Sequence, residues 1–359
     1  MRCLLVLLAA SAALAQPARQ TQSSNTKEDL RGVSAVSTQI AWASGTHGTY
    51  VRTTDGGHTW IPAQVPDAST LDFRGVVAFS ADEAFLMSSG PGGQSRIYHT
   101  ADAGQHWELQ FTNTNPKAFF DSIVFWDSTH GVVLGDPLAD ESGQLKFQLL
   151  ITEDGKSWNP IPASQLPSAL EGEGAFAASN TSLVILPLPD TNIWFATGGR
   201  AARVFHSPDR GRTWQVFNTP INHGPDSAGI FSIAFRDPLH GVIAGGDYKH
   251  PDQDGPNLAF TDDGGTSWTV SKIFPQSYYS AAAYDRKYKG PNAAELDENR
   301  AHARLFIAAP KFLFDFRPPR NPTRISPPKK SGIQFNAISA YPSGGALFVG
   351  PHGSIATIP

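Results

Sequence analysis

The stretch TTDGGHTW occupies Thr53–Trp60, and four more copies of its pattern, Ser/Thr-x-Asp-x-Gly-x-x-Trp, follow along the chain. They are TADAGQHW at Thr100–Trp107, TEDGKSW at Thr152–Trp158, SPDRGRTW at Ser207–Trp214 and TDDGGTSW at Thr261–Trp268, the third being one residue shorter. Their tryptophans are separated by 47, 51, 56 and 54 residues. Repeats of roughly 40–50 residues are typical of four-stranded propeller blades. The pattern therefore predicts one supersecondary unit that is repeated around a ring.

Each residue type in the pattern suits a tight hairpin turn. The Ser/Thr hydroxyl and the Asp carboxylate can accept hydrogen bonds from backbone N–H groups of the turn. The Gly supplies a positive φ, and the Trp begins the next strand with a large ring to pack. A structural role for these aspartates is favoured over a catalytic one. His130 and His240 occupy equivalent places before a Gly in two repeats, so they are interpreted as turn residues and not as ligands.

Seven such units account for most of the chain. Apolar runs separated by turns precede the copies of the pattern, and two later units, Tyr278–Phe316 and Phe335–Ile358, lack the Asp. The alternation is typical of strands, so the fold class is predicted to be all-β, a single seven-bladed β-propeller over residues 30–359. The last unit is one strand short. The polar, flexible segment 16–29 is a candidate for the closing strand, around Ser24–Leu30.

Composition narrows the function classes. Charged residues are 17% of the chain and the formal charge is −4, which gives no general attraction to nucleic acid.

Residues 1–15 have the short basic start, apolar core and Ala-Leu-Ala end of a cleaved signal peptide, which predicts a periplasmic or secreted protein. The single cysteine, Cys3, would leave with it, so no disulfide or thiolate site is expected. No later run is apolar enough to span a membrane, and we expect a monomer.

The repeated strand–turn–strand pattern and the Asp-containing turn resemble the BNR/Asp-box repeat propellers. Among them the chain is most similar to the photosystem II stability/assembly factor-like proteins of bacteria. FFDSIVFWDSTHGVVLGDP at Phe119–Pro137 and SAGIFSIAFRDPLHGVIAGGDY at Ser227–Tyr248 are similar to a secreted bacterial subgroup often labelled "oxidoreductase". The sequence contains no G-x-G-x-x-G opening of a helix, so it predicts no nicotinamide or flavin cofactor, and we expect no cofactor of any kind.

The resemblance also implies an enzymatic rival, because sialidases share the Asp-box propeller. In sialidases the first of three arginines that bind the substrate carboxylate lies in an Arg-Ile-Pro motif near the start of the chain, whereas Arg31, the arginine nearest to that position, is followed by Gly-Val. Xyloglucan-cleaving propellers also use this repeat, but as paired propellers in much longer chains. Since function depends on the site and not on the fold, neither enzyme class follows from the repeat alone.

Two segments are candidates for a binding site at one mouth of the propeller channel. EGEGAFAASN places Glu173, Ser179 and Asn180 around a strand of small residues, where they form either a ligand site or a solvated loop. GGRAAR places Arg200 and Arg203 after a double glycine. These arginines can bind a ligand carboxylate, pair with Glu173, or form an ordinary surface ion pair.

Two further segments place carboxylates after the second strand of a unit. LGDPL and GGDYK carry Asp136 and Asp247, which are either channel-mouth carboxylates or turn caps, and Tyr248 adds an aromatic surface. HPDQDGPN loosely resembles a calcium loop but lacks the required spacing, and no histidine pattern is typical of zinc, so no metal site is expected. The basic, Pro-rich segment Arg317–Lys330 is either a solvated loop or a segment offered to an acidic partner.

We therefore predict a non-enzymatic scaffold of the cell envelope, similar to an assembly factor, which binds an envelope protein or a polar small ligand at the mouth. The alternative is a glycan hydrolase of the sialidase-like class, and Glu173 with Asp136 or Asp247 would be its acid/base pair.

Overall fold

The computed structural model describes residues 19–272, 277–285, 304–310, 312–316, 329–330 and 334–359. These residues form antiparallel strands and three single-turn 3-10 helices, at Gly92–Gln94, Ala163–Gln165 and Pro351–Gly353. The predicted signal peptide and all but the last two residues of the basic segment 317–330 lie outside the described residues. No helix in the described part of the chain is long and apolar enough to cross a membrane.

The strands form seven sheets that are the blades of a propeller, so the predicted seven-bladed fold is confirmed. Strands are numbered along the chain, and in each blade the first is the innermost. Blade 1 contains β2 (Leu30–Ala35), β3 (Ala41–Gly45), β4 (Thr49–Thr53) and β5 (Ile61–Gln64); blade 2 contains β6 (Asp72–Ala78), β7 (Ala84–Ser89), β8 (Arg96–Thr100) and β9 (Glu108–Thr112). Blade 3 contains β10 (Phe120–Phe125), β11 (Gly131–Ala139), β12 (Leu145–Thr152) and β13 (Asn159–Pro160).

Blades 4 and 5 are joined by two extra two-residue strands. Blade 4 contains β15 (Leu183–Ile185), β16 (Ile193–Ala196), β18 (Arg203–Ser207) and β19 (Gln215–Asn218). Blade 5 contains β20 (Ala228–Phe235), β21 (Gly241–Asp247), β22 (Leu258–Thr261) and β23 (Thr269–Val270). The extra strands β14 (Glu173–Gly174) and β17 (Gly198–Gly199) extend the sheet of blade 5 to six strands, in the order β14-β17-β20-β21-β22-β23.

The ring closes on a strand from near the start of the chain. Blade 6 contains β24 (Ala281–Tyr284), β25 (Leu305–Ala309), β26 (Phe312–Phe316) and β27 (Lys329–Lys330), and blade 7 contains β28 (Ala337–Ala340), β29 (Ala346–Gly350) and β30 (Ser354–Ile358). The fourth strand of blade 7 is β1 (Gln20–Ser23), which runs antiparallel to β30 with Gln20 opposite Thr357. The closing strand lies within the predicted segment 16–29 but precedes Ser24–Leu30, because residues 24–29 connect β1 to β2.

The five repeated motifs form the turns between the third and fourth strands of blades 1 to 5. In the first, Thr53 Oγ1 accepts the N–H of Gly57 at 2.9 Å and Asp55 Oδ1 accepts the N–H of Thr59 at 2.8 Å. Equivalent hydrogen bonds close the other four turns. Gly57 has a φ of 85°, a region where a Cβ is penalised. The turn roles predicted for these residues are therefore observed.

The hydrophobic core is divided among the blade-to-blade contacts. The described residues form seven apolar clusters, one between each neighbouring pair of blades. Serine hydroxyls also tie some innermost strands to their neighbours, as where Ser339 Oγ accepts the N–H of Ala35 and Ser34 Oγ accepts that of Ala78, each at 3.0 Å. Each blade is thus stabilised mainly by the blades beside it.

The two ends of the channel differ in the loops they carry. Because strands alternate in direction, the repeated turns lie at the same end as the turns between first and second strands. The opposite end carries the loops between second and third strands and the connections from one blade to the next. All the sequence-predicted site residues lie in or near loops of that opposite end, which we call the site end.

Candidate functional site

One connection at the site end crosses the mouth of the channel. We call residues 172–180, which belong to the connection from blade 3 to blade 4, the strap. The strap contacts residues from four blades besides blade 4, namely Arg74 of blade 2, Ile123 and Asp136 of blade 3, Phe231 of blade 5 and Ser280 of blade 6. Since these blades stand on different sides of the ring, the strap spans the channel.

Glu173 forms a buried ion pair with Arg203 at one end of the strap. The Glu173 side chain has no exposed surface, and that of Arg203 is 13% exposed. Arg203 Nε donates to Oε1 at 2.8 Å and Nη2 donates to Oε2, while the Thr197 hydroxyl and the Leu170 N–H supply two further donors at 2.6 and 2.8 Å. Both carboxylate oxygens are thus fully engaged within the protein. Among the alternatives predicted for Glu173 and Arg203, the structure shows the ion pair between them.

Arg200 does not join this ion pair. Its side chain is exposed, and its backbone N–H donates to the Gly172 carbonyl at 2.8 Å. The double glycine before it explains why the strap fits. A Cβ on Gly198 would lie 2.2 Å from the Phe176 ring, and one on Gly199, whose φ is 80°, would lie 2.3 Å from the Gly172 carbonyl oxygen. Both glycines are therefore required for the close approach of the strap to β17.

Ser179 and Asn180 anchor the other end of the strap. Asn180 has a φ of 61° and pairs with both backbone groups of Ile123, accepting its N–H at 2.8 Å and donating to its carbonyl at 3.0 Å. The Ser179 hydroxyl is buried and donates to the Ser280 carbonyl at 3.1 Å. Their polar groups hold the strap in place, and neither residue presents its side chain openly to a ligand.

Asp136 lies beneath the strap and is not a turn cap. Its Oδ1 accepts the N–H of Ala175 at 3.0 Å, and burial raises its pKa to about 6 despite that hydrogen bond. Beside it, Asp121 is 1% exposed, and neither of its carboxylate oxygens has a hydrogen-bond partner. Burial first, and then the charge of Asp136, raise the pKa of Asp121 well above its usual range, against the opposing effect of Arg74. Asp121 is buried and Asp136 is partly buried, so the two acids form a pair that the strap covers.

Asp247 lies one position later than Asp136 in its blade, and its role differs. Gly135 pairs with Phe120, and Gly245 pairs equivalently with Ile230, so Gly246 is the counterpart of Asp136. Asp247 accepts the N–H of Lys249 at 2.9 Å and contacts the ring of His250 at 2.8 Å. Asp247 therefore acts as a turn cap.

Tyr248 belongs to an aromatic cluster at the site end. Phe176 of the strap stacks on Phe231 with ring centroids 3.9 Å apart, and Tyr278 and Tyr248 meet Phe231 edge-on at 4.9 and 6.1 Å. Tyr248 is 49% exposed, so it offers part of the cluster to solvent. Such rings supply apolar contact area with a polar tip at binding surfaces.

Two arginines that were not predicted as site residues face the same mouth. Arg74 Nε donates to Asp72 at 2.8 Å and its Nη1 donates to the Ala177 carbonyl of the strap at 3.1 Å. Arg31 Nε lies 3.8 Å from Asp72, and this nitrogen is buried without a hydrogen-bond partner. Arg31, Arg74, Asp121 and Phe231 all fall at register shifts of an innermost strand. A β-bulge redirects a side chain, here near the mouth of the channel.

The predicted turn histidines are found in turns. His130 and His240 each contact the aspartate three residues earlier, with ring nitrogens 2.9 Å from Asp127 and 2.8 Å from Asp237. In the described part of the chain, no group of three or more His, Cys, Asp or Glu side chains is arranged to hold a metal ion.

Comparisons with known proteins find two curated relatives over a short stretch and several solved propellers. No protein-family model matches the chain. Over 67 residues, 18% of this chain, it is 36% identical to the chloroplastic photosystem II stability/assembly factor HCF136 of Oryza sativa subsp. japonica, and 34% identical to that of Arabidopsis thaliana. The match spans only 15% and 16% of those relatives. A solved structure described as YCF48 bound to D1 peptide superposes with a TM-score of 0.64 and 17% identity, covering 96% of this chain and 98% of that one.

The chain is a propeller similar to the photosystem II stability factors. The same fold occurs in an enzyme, the GH74 xyloglucanase of Xanthomonas campestris, with a TM-score of 0.58 and 15% identity. That superposition covers 94% of this chain but 53% of the xyloglucanase. At such identities the likeness shows the fold alone, so the choice between binding and hydrolysis depends on the site.

Proposed function

We propose that this stability factor-like propeller is a non-enzymatic binding protein that holds an extended segment of a partner protein at its site end. One observation carries the proposal: Arg31 and Arg74 share Asp72 at the channel mouth, Arg74 binds the strap one residue from Phe176 of the aromatic cluster, and Tyr248 of that cluster is half exposed. Guanidinium groups bind carboxylates and carbonyl oxygens through directed N–H donors, and aromatic rings supply contact area. Arg74 already binds a peptide carbonyl, that of Ala177 in the strap.

The comparisons also support the proposal that the chain binds a segment of a partner protein. The curated relatives are named for the stability and assembly of a protein complex, and the solved YCF48 structure is described as bound to a peptide. A role in which the propeller holds a segment of another protein agrees with both descriptions. The signal-peptide pattern in residues 1–15 supports placing this role in the periplasm or outside the cell. A polar small ligand carrying a carboxylate would use the same arginines.

A glycan hydrolase requires two carboxylates about 5–10 Å apart that are free to exchange protons with the substrate. Glu173 does not meet this requirement, since four donors occupy its oxygens and its side chain has no exposed surface. Asp247 is engaged as a turn cap. The geometry therefore favours binding over hydrolysis by the predicted acid/base pair.

The proposal is tested by selecting peptides on the immobilised chain from two dodecamer libraries, one with free C-terminal carboxylates and one amidated. We expect enriched peptides whose affinity falls about tenfold, or 1.4 kcal/mol, in Arg31→Gln and in Tyr248→Ala. Arg212→Gln is the matched control, because Arg212 is an exposed arginine in a repeated turn at the opposite end. Affinities unchanged in both site-end variants would contradict the proposal. Release of reducing sugar from xyloglucan would instead favour the hydrolase.

A further inference from the structure

The strap is an internal cover of the channel that lies over two acids, Asp121, which is buried, and Asp136, which is partly buried. It consists of small residues apart from Phe176 and the anchors Glu173, Ser179 and Asn180. The anchors fix its two ends, through the Arg203 ion pair and through the hydrogen bonds to Ile123 and Ser280. The middle of the strap is held more lightly, by one hydrogen bond from Arg74, one to Asp136 and the stack of Phe176 on Phe231. The middle is thus the part that can lift.

The pocket beneath the strap solvates a negative charge poorly. Asp136 receives one N–H donor, from Ala175, and Asp121 receives none although both of its oxygens are buried. A carboxylate in water accepts several hydrogen bonds, so one donor does not replace the lost hydration. The raised pKa of Asp136 has this cause, with burial outweighing the Ala175 hydrogen bond.

The other charges around the pocket do not remove this cost. From β6, Arg74 favours ionisation of Asp121, but its Nε donates to Asp72, which neutralises part of its charge. On the strap side, Glu173 and Arg203 neutralise each other. Asp121 and Asp136 oppose each other's ionisation, because like charges in a dry pocket repel. The pair therefore titrates as a unit, and its first ionisation falls on Asp136, the member that has a donor.

We propose that the strap is a proton-controlled cover, closed while Asp136 is protonated and released when Asp136 ionises. Lifting the strap returns water to the carboxylate, so ionisation stabilises the open form relative to the closed form. The closed form binds a proton more tightly than the open form, and closure is therefore strongest in acid and weakens as the pH rises. Opening would uncover Asp136, Asp121 and the guanidinium of Arg74.

Amide hydrogen exchange on the full chain tests this cover. Protection factors for peptides covering residues 172–180 are compared at pH 5.0 and pH 7.5, after correction for the intrinsic effect of pH on exchange. With a closed-form pKa of about 6 and an open-form value near 4, the opening equilibrium should rise about tenfold between these two conditions. Peptides from β29 serve as the internal control, since they lie in the core of blade 7 and should not respond.

Two variants make the result decisive. In the double variant Asp121→Asn/Asp136→Asn the protection of the strap should become independent of pH, because both titrating groups of the pair are gone. Asp121→Asn/Asp136→Ser, in which the serine keeps an acceptor for the Ala175 N–H without a charge, should behave in the same way. Equal protection of the strap at both pH values in the parent would overturn the proposal, as would a tenfold response that persists in both variants.

Discussion

The contact between Glu173 and Arg203 favours a structural role for both residues. Both residues were predicted as site residues, with mutual pairing as one of the alternatives, and 30 positions separate them in the chain. The strap and β18 bring them together in a bidentate pair with no exposed surface on the carboxylate. A pair buried in this way favours structure over chemistry, since neither charge is available to a ligand without exposing the other.

Replacement of Glu173 by Ala should strongly destabilise the fold. The substitution leaves the Arg203 guanidinium buried without its counter-ion, which typically costs about 3–5 kcal/mol. Urea unfolding of the parent and the variant measures the change in the free energy of unfolding. Glu171→Ala is the matched control, because Glu171 is exposed and lies two residues away, and it should change stability by less than about 0.5 kcal/mol. A cost below about 1 kcal/mol for Glu173→Ala would show that the pair does not hold the strap.

The roles of individual site residues could not be predicted from the sequence alone, because they depend on which side chains become covered in the fold. The sequence identifies Asp136 as a carboxylate after a second strand, but it cannot show that Asp136 lies under the strap while Asp247 caps a turn. A one-residue offset between the two blades separates these roles. Asp121, Arg31 and Arg74 were not predicted as site residues because β-bulges turn them toward the channel mouth, and a bulge has no fixed sequence signature.

At the level of elements, the repeated turns were predictable because local chemistry determines them. The Ser/Thr hydroxyl, the Asp carboxylate and the Gly act within eight residues, so the motif specifies the turn wherever it occurs.

Glutamine side chains link some neighbouring blades through these turns, and this contact is far less visible in the sequence. Gln22 of β1 donates to the Gly56 carbonyl and accepts the Trp60 indole N–H, each at 3.0 Å. Gln110 of β9 makes the same two contacts with Gly155 and Trp158 in blade 3.

The two glutamines should contribute equally to their turns but unequally to the ring. Gln22→Ala and Gln110→Ala each remove two hydrogen bonds, at a cost of about 1–2 kcal/mol. Because β1 is the strand that closes the ring, Gln22→Ala should also weaken the pairing of β1 with β30, whereas Gln110→Ala should not. Thermal unfolding measures the common cost, and hydrogen exchange of residues 354–358 measures the difference. Equal exchange in both variants would contradict a special role for Gln22 in closure.

At the scale of the whole molecule, the two ends of the propeller differ in whether their loops repeat. One end carries the repeated turns, which are similar in every copy and therefore structural. The site end carries the strap, the bulged arginines and the aromatic cluster, none of which repeats around the ring. The sequence predicted the ring because repetition is a strong signal, and departures from repetition identified the loops of the site end as candidates for a binding site. The way the strap crosses the channel depends on contacts between distant blades and was not predictable.

The central claim is that a partner protein binds at the site end of the propeller. Photocrosslinking from residues on either side of β21, one at each end of the propeller, tests this claim most directly. A photoreactive phenylalanine analogue would replace Tyr248, just after β21, or Leu239, just before it; each native residue is 49% exposed. We predict that irradiation in the producing cells links a partner protein to position 248 and not to position 239, and that Arg31→Gln abolishes the link. Equal crosslinking at both positions, or a link at position 248 that is unaffected by Arg31→Gln, would contradict the claim.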